Sequence, residues 1–209
     1  MLARTSRMTL RTLILVSLVL VACADSAHAQ VATKQPHELD RSIRAVDFQN
    51  YTYESQSGGY SDPRESITVT NGAYERPRSA DGHDQGYFRA RAPMYGDLNG
   101  DGVEDAIVVT LENGGGRGIF DAAHVFTMRN GQVAKIAEVP GGDRGFGGFR
   151  NVTLEPGGLK VERLTSVAGD GAHRASKLTI EHWRWIGKAL AIDDKRTTIV
   201  DNPDAQRWK

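Results

Sequence analysis

The sequence predicts a mainly β protein, an antiparallel sheet of consecutive hairpins that is partly closed or sandwich-like, with one short N-terminal helix. Three observations favour this class. Short stretches of alternating apolar residues recur along the chain, turn-forming dipeptides separate them, and helical spacing of apolar residues occurs only near the N-terminus. The 23 glycines suit tight turns between short strands. An α+β fold is the alternative class.

The N-terminus has the composition of an export signal. Arg4, Arg7 and Arg11 form a basic segment, and residues 13–22 form an apolar core. This core is too short for a membrane-spanning helix, which needs about 20 apolar residues. We therefore expect residues 1–22 to be a signal peptide.

Two cleavage sites compete after this segment. Cys23 follows residues 20–22 in the pattern of a bacterial lipobox, which predicts a lipid anchor at Cys23. Cleavage after Ala29, which leaves Gln30 at the N-terminus, is the alternative, and Cys23 is then a chance cysteine that is removed with the signal. We expect an outer-membrane lipoprotein in the first case and a soluble periplasmic protein in the second. Because Cys23 is the only cysteine, the mature domain has no disulfide in either case.

The mature chain is slightly acidic. Removal of residues 1–22 takes away three arginines and leaves 23 basic against 26 acidic residues, a net charge of about −3. This balance argues against a nucleic-acid partner, for which a clustered basic face is expected. We divide the remainder into a polar tether (23–37), a single β-rich domain (38–200) and a polar tail (201–209).

The elements follow in order along the domain. Apolar residues at helical spacing predict a short helix over residues 38–46. Asn-Gly pairs at 71–72 and 130–131 predict type I′ hairpin turns, because both turn positions need a positive φ. Strands are predicted at 47–53, 67–70, 73–75, 87–92, 106–111, 122–128, 132–139, 149–154, 159–164, 177–185 and 189–198.

An acidic loop precedes the most apolar strand. Oxygen-bearing side chains stand at alternate positions of residues 97–105, as in an EF-hand-type loop, although its closing glutamate is replaced by Val108. Asp105 is the natural substitute. Oxygen ligands favour Ca²⁺ over Zn²⁺, so we predict one structural Ca²⁺. Its ligands are the side chains of Asp97, Asn99, Asp101 and Asp105 and the carbonyl of Val103. The alternative is a tight turn in which the Asp and Asn side chains cap backbone amides.

A glycine-rich segment, residues 141–148, is the second candidate site. Backbone amides in such a loop can cradle an anion, which indicates an anion- or partner-binding role for Asp143 and Arg144. The structural alternative is a close-packed loop with Asp143 or Arg144 in a salt bridge and Phe146 in the core. No lysine follows in P-loop order, which argues against nucleotide binding.

Signals of catalysis are missing from the sequence. It has neither a Gly-x-Ser-x-Gly motif nor a His-Glu-x-x-His motif, and its one thiol lies in the N-terminal region. His124 and His182 fall in predicted strands, where we expect them to be packed or surface residues. A non-enzymatic protein is the favoured interpretation.

Three segments carry a resemblance to a family of uncharacterised exported bacterial proteins and lipoproteins. They are residues 43–53, 95–110 and 142–149, and the resemblance spans roughly residues 40–195. Members share a single Asp-x-Asn-x-Asp-Gly-x-x-Asp loop of the integrin-repeat type that runs into an apolar strand. The resemblance implies export and a β-rich fold, and it supplies no catalytic residue.

The sequence therefore predicts an exported cell-envelope protein, a binding or structural module with one Ca²⁺-stabilised loop. Its expected partner is a protein or the cell wall, and it meets the membrane only through a lipid anchor at Cys23. The alternative is a small periplasmic enzyme or enzyme inhibitor that uses the segment around Asp143 and Arg144.

Overall fold

Short strands and tight turns make up most of the chain that the computed structural model describes, which comprises residues 42–55, 64–77, 85–143, 146–171 and 174–205. The predicted signal peptide and tether, Cys23, Arg144 and the end of the predicted tail lie outside the described residues. The strands are β1 (Thr52–Glu54), β2 (Ser66–Thr68), β3 (Ala73–Glu75), β4 (Tyr87–Ala90), β5 (Met94–Gly96), β6 (Asp105–Asn113), β7 (Phe120–Arg129), β8 (Gln132–Asp143), β9 (Phe149–Glu155), β10 (Gly158–Thr165), β11 (Lys177–Ile186), β12 (Ala189–Ile192) and β13 (Thr198–Asp201).

The predicted fold class is confirmed. The named strands pair antiparallel, mostly as consecutive hairpins, and no sheet of the described residues closes into a barrel. The central sheet has the order β3-β4-β6-β7-β8, with β5 also on β6. The outer sheet has the order β12-β11-β10-β9, with β13 also on β11, and β1 and β2 form a separate ribbon.

Helix is confined, in the described part of the chain, to 3-10 turns at Ile43–Ala45, Phe48–Asn50 and Asp194–Arg196. The predicted helix over 38–46 is therefore a single 3-10 turn in its described part, and a second turn takes up the start of the predicted strand 47–53. Side-chain capping explains both differences. Ser42 Oγ accepts from the Arg44 N–H and Asp47 Oδ1 accepts from the Gln49 N–H, which competes with longer regular elements. Among the described residues, no helix has the length and apolar character needed to cross a membrane.

The two Asn-Gly turns differ in outcome. Asn130 and Gly131 have φ angles of 53° and 76° and join β7 to β8, as predicted. Asn71 and Gly72 also adopt positive φ, but only one bridge, from Thr70 to Ala73, forms beside this turn. Beyond it β2 pairs with β1 and β3 pairs with β4, so the predicted two-stranded hairpin is wrong.

Strand β6 is buried on both faces and separates two hydrophobic cores. Ala106 and Val108 face a first core, in which the N-terminal segment and the β1–β2 ribbon cover the central sheet. Ile107 and Val109 face a second core between the central and outer sheets. Burying one such β-branched side chain stabilises the fold by about 1.5–3 kcal/mol. The uninterrupted apolar run of the sequence thus corresponds to a strand covered on two sides.

Candidate functional site

The predicted cation loop connects β5 to β6 and is closed by the antiparallel pairing of Gly96 with Asp105. Gly100 and Gly102 have φ angles of 75° and 80°, in the left-handed region that favours glycine. A Cβ atom at either position would meet nothing within 4 Å. Backbone conformation, rather than crowding, therefore requires glycine at these two positions.

Three side chains of this loop accept hydrogen bonds from its own backbone. The two Asp97 carboxylate oxygens accept from two glycine N–H groups at 2.7 and 2.9 Å. Asn99 Oδ1 accepts from the Asp101 N–H at 2.9 Å, and Asp101 Oδ1 accepts from the Val103 N–H at 2.8 Å. A carboxylate oxygen and an amide oxygen each have two lone pairs, so each of these oxygens keeps acceptor capacity beyond the bond that it makes to the loop backbone.

Asp105 ends the loop inside the protein. Its side chain has no exposed surface, and its Oδ2 accepts from the Leu98 N–H at 3.0 Å. Its Oδ1 is buried and makes no hydrogen bond of normal geometry to the described residues, and the Thr127 hydroxyl is the nearby group that stabilises the charged carboxylate. Burial raises the pKa of Asp105, and the charges of Asp101 and Asp97 raise it further.

The predicted ligand residues thus occupy one loop without forming a metal centre as they stand. Among the described residues, no group of three or more His, Cys, Asp or Glu side chains is placed to hold a metal ion. The loop carboxylates are turned onto backbone amides instead, which is the arrangement that the turn alternative describes. The calcium site stays a prediction.

Arg44 fastens the N-terminal segment to the same loop, a contact that the sequence did not indicate. Its guanidinium forms a two-point hydrogen-bonded ion pair with Glu104, at 2.6 and 2.7 Å, and lies 4.4 Å from the centre of the Tyr95 ring. Planar two-point pairing of this kind fixes geometry as well as charge. The loop is therefore held from its outer side as well as by β5 and β6.

The glycine-rich segment is largely a strand. β8 continues through Gly141 and Gly142 to Asp143, whose Oδ1 accepts from the Ile119 N–H at 2.9 Å. A Cβ on Gly142 would lie 2.4 Å from the carbonyl oxygen of Phe146, so close backbone approach requires glycine there. The Phe146 side chain is 73% exposed, so its predicted place in the core is wrong.

Asp121 joins the two sheets beside this segment, and no sequence pattern indicated it. The carboxylate is buried and accepts from the Phe149 N–H, at the start of β9, at 2.6 Å. Burial raises its pKa to about 6, although the Phe149 amide and the Arg163 charge act in the opposite direction. Arg163 itself forms a two-point pair with Glu181, with both distances 2.9 Å.

A line of polar side chains crosses the central sheet. His124 Nε2 lies 2.9 Å from Thr110 Oγ1, and His124 Nδ1 lies 3.2 Å from Glu138 Oε2. The hydrogen bond with His124 lowers the pKa of Glu138 to about 2, against the opposing effect of burial. The order hydroxyl–imidazole–carboxylate is that of a catalytic triad. However, Thr110 is 1% exposed, so a substrate has no access to the hydroxyl, and the line serves as a satisfied polar network in the core.

A cavity of about 190 Å³ opens next to this network, between β1, β7 and β8. We call it the aromatic cavity, because three of its lining residues carry aromatic rings besides the imidazole. Its lining residues are Tyr51, Thr52, Tyr53, Glu54, His124, Phe126 and Lys135. The Lys135 ammonium pairs with Glu54 at 2.6 Å and with Glu138 at 3.2 Å. Pockets that combine apolar walls with a few convergent polar groups are the usual form of small-molecule sites.

Similarity to known proteins assigns no role to any of these residues. No protein-family model matches the chain, and no curated protein sequence matches it either. The resemblance to exported bacterial proteins stays a prediction, and function has to be inferred from the geometry of the chain.

Proposed function

We propose that the chain is an exported cell-envelope protein whose β domain is a non-enzymatic binding or structural module with one Ca²⁺-stabilised loop. The observation that carries the cation part is the Asp105 carboxylate. It is buried, one of its oxygens makes no hydrogen bond of normal geometry to the described residues, and the charges of Asp97 and Asp101 act on it. Buried carboxylates of this kind are normally paired or bound to a metal.

The donor set fits a hard divalent cation. Carboxylate, amide and carbonyl oxygens are the ligands that Ca²⁺ takes, and Asp97, Asn99, Asp101, Val103 and Asp105 supply them. The twelfth position of an EF-hand-type loop offers no ligand here, because Val108 is fully buried in β6. Asp105 would then be the closing ligand. A cation at this point would neutralise the mutual repulsion of the three carboxylates.

The proposed role of the cation is to fix the entry to the central strand. Asp105 is the first residue of β6, so a cation held by it ties the preceding loop to the strand that both cores share. The single cysteine of the chain leaves the domain without a disulfide to do this. Affinities of about 10⁻⁴–10⁻³ M are typical of extracellular Ca²⁺ modules.

The signal-like N-terminus supports export and, through Cys23, either an outer-membrane lipoprotein or a soluble periplasmic protein. The partner we propose is a protein or the cell wall. The enzyme or inhibitor alternative finds less support, because the Asp143 carboxylate lies at the end of a strand and accepts a backbone N–H group.

Calorimetric titration of the chelator-treated mature protein with Ca²⁺ tests the cation site. We expect a saturable heat, and a melting temperature that rises by about 3–10 °C at 10 mM Ca²⁺, since ligand at about 10–100 times Kd stabilises by about 1.4–2.7 kcal/mol. Asp101→Asn should abolish both effects while it keeps an acceptor for the Val103 N–H. Asp170→Asn is the matched control, because Asp170 also caps loop amides, those of Val167 and Ser176. If the wild-type protein shows neither a saturable heat nor a rise in melting temperature with Ca²⁺, the loop is only a turn.

A further inference from the structure

We propose that Asn130, in the turn between β7 and β8, is a site of spontaneous deamidation, at which the asparagine becomes aspartate or isoaspartate. Glycine follows four of the seven asparagines of the chain, namely Asn71, Asn99, Asn113 and Asn130. A following glycine makes an asparagine reactive, because no side chain hinders the approach to its main-chain nitrogen. The four sites therefore share one local sequence, and the fold decides between them. The reaction requires neither the proposed cation nor a partner.

The reaction joins the Gly131 nitrogen to the Asn130 side chain. Hydroxide removes the proton of the Gly131 N–H group, and the nitrogen attacks the Asn130 Cγ. A C–N bond forms there, the Cγ–Nδ2 bond breaks, and Nδ2 leaves as ammonia after it takes a proton from water. Water then hydrolyses the cyclic imide at Cγ, which gives aspartate, or at the main-chain carbonyl, which gives isoaspartate with the chain running through the β-carbon. A site reacts fastest where the glycine N–H group and the asparagine amide are both free.

Both reacting groups are free at Asn130. The residue and Gly131 are exposed, and neither the Gly131 N–H group nor the Asn130 amide makes a hydrogen bond within the described chain. The nitrogen reaches Cγ only when the turn opens. The first strand pair that this opening breaks is that of Arg129 with Gln132, at the end of the hairpin. Because such ends open at a small cost in free energy, the turn is accessible to the reaction.

The nucleophile at Asn71 is engaged instead. The Gly72 N–H group donates to the Gln49 carbonyl at 2.7 Å, and the Gly72 carbonyl accepts from the Ala90 N–H at 2.8 Å. The Asn71 N–H donates to Asn50 Oδ1 at 3.1 Å. This turn has the same Asn-Gly sequence as the β7–β8 turn and the same positive φ angles. The two turns therefore differ in their contacts rather than in their conformation.

The remaining two sites hold their side-chain amides in place. Asn99 accepts from the Asp101 N–H and donates to the Asp101 carboxylate, both at 2.9 Å. The Gly100 N–H donates to Asp97 at 2.7 Å. Asn113 is 9% exposed, its Nδ2 donates to two carbonyl oxygens at 3.0 and 2.9 Å, and its Oδ1 accepts from an N–H group at 2.7 Å. Loss of at least two hydrogen bonds before reaction slows each site by about tenfold or more.

Isoaspartate at position 130 changes the hairpin itself. A two-residue type I′ turn joins its strands with a fixed length of backbone, and isoaspartate adds one atom to that length. The pairs of Arg129 with Gln132 and of Met128 with Val133 are then lost. Met128 and Val133 pack against the first core, so the modification uncovers the edge of that core. Aspartate adds the same charge and leaves the backbone unaltered.

Peptide mapping by mass spectrometry tests the proposal on the mature protein. The folded protein is incubated in mildly alkaline buffer made with ¹⁸O-water and then digested with pepsin in ordinary acidified water, so that the label marks deamidation of the folded chain. We expect Asn130 to gain label at least about tenfold faster than Asn71, Asn99 or Asn113. The same incubation in concentrated urea is the control, and the four rates should then agree within about threefold.

Two variants test the physical reason. Asp97→Ala removes the acceptor of the Gly100 N–H and should raise the rate at Asn99, while an unchanged rate at Asn71 shows that the variant is folded. Asn130→Asp carries the added charge on an unaltered backbone, and the isoaspartate fraction of the wild type should melt at a lower temperature than this variant. The proposal is overturned if Asn130 reacts no faster than the other sites in the folded protein or if its lead persists in urea. It is equally overturned if folded Asp97→Ala leaves the rate at Asn99 unchanged, or if the isoaspartate form melts like Asn130→Asp.

Discussion

Replacing Asp121 by asparagine should change how stability depends on pH. The carboxylate is buried where the central and outer sheets meet, and burial raises its pKa from 3.8 to about 6. A carboxyl whose pKa is higher in the folded than in the unfolded state binds its proton more tightly when folded. Its contribution to stability is therefore complete below about pH 4 and is lost as the pH rises to about 6. The asparagine amide is uncharged throughout and still offers an oxygen to the Phe149 N–H.

The magnitude follows from the change in pKa. One pKa unit corresponds to about 1.4 kcal/mol, so the rise from 3.8 to about 6 corresponds to about 3 kcal/mol. We expect the free energy of unfolding of Asp121→Asn, relative to wild type, to increase by about 3 kcal/mol between pH 4 and pH 7. Urea denaturation at steps of half a pH unit gives the free energy of unfolding of the wild type and of the variant. The other carboxylates titrate alike in both proteins, so they do not contribute to the difference between the two free energies.

Asp170→Asn is the control variant, because the stability contribution of Asp170 should depend on pH in the opposite direction. Hydrogen bonds from Ser176 and Val167 lower the pKa of Asp170, so its contribution is present at neutral pH and is lost as the pH falls through the folded-state pKa. That variant should be less stable than wild type at pH 7 and approach it in acid. If the Asp121→Asn difference instead stays constant within about 0.5 kcal/mol, burial does not act on this carboxylate as the geometry indicates.

Three further predictions concern packing and processing. Leu159→Ala should lower the free energy of unfolding by about 2–5 kcal/mol in urea denaturation, because the side chain is fully buried in the second core. Gly141→Ala should lower the melting temperature strongly, because its Cβ would lie 2.2 Å from the carbonyl oxygen of Asp121. Mass spectrometry of the mature protein should find a lipidated Cys23 or an unmodified Gln30 at the N-terminus, and an intact residue 1 would contradict export.

Each of the two packing predictions has a control substitution of the same type at an exposed or uncrowded position. Ile199→Ala removes an aliphatic side chain that is 65% exposed, so its effect should stay within about 0.5 kcal/mol. Gly116→Ala introduces a Cβ that would meet nothing within 4 Å, and the melting temperature should barely change. If Leu159→Ala resembles Ile199→Ala, or Gly141→Ala resembles Gly116→Ala, the packing at those positions is looser than described.

Local patterns predicted the strands well, because each signal lies within a few residues of the element it specifies. The apolar run 106–111 is contained in β6, and Asn130-Gly131 joins β7 to β8. The short strand β5 was missed, because its three residues, Met94–Gly96, carry no alternating pattern of their own. It exists because β6 offers a free edge beyond the end of β4. Elements that depend on a partner strand leave little trace in their own sequence.

The polar network of Thr110, His124 and Glu138 could not be predicted from the sequence, for a different reason. Counting back from the Asn130-Gly131 turn pairs Phe126 with Lys135, and the same register would place His124 opposite Ala137. A bulge between Val125 and Phe126 shifts the pairing by one residue, so that His124 lies opposite Glu138. A one-residue slip changes every cross-strand neighbour. Without knowledge of the bulge, the contact between His124 and Glu138 cannot be predicted from the sequence.

The candidate cation loop, by contrast, could be located from the sequence. The oxygen-bearing residues of 97–105 were visible because their spacing is local, and the structure places them in a single loop. Neither the burial of Asp105 nor the Arg44–Glu104 pair followed from spacing. Both depend on segments far apart in the chain, since Arg44 and Glu104 are 60 residues apart.

The first core also constrains when the protein can fold. Phe48 packs against Phe126, with ring centres 5.0 Å apart, and Tyr53 packs against the same ring. The covering segment is therefore synthesised more than seventy residues before the strand that completes its contacts. Such non-local pairing folds slowly, and the contacts of Phe48 and Tyr53 with Phe126 cannot form until β7 has emerged. A chain of this topology therefore completes its first core only after more than half of its residues have been synthesised.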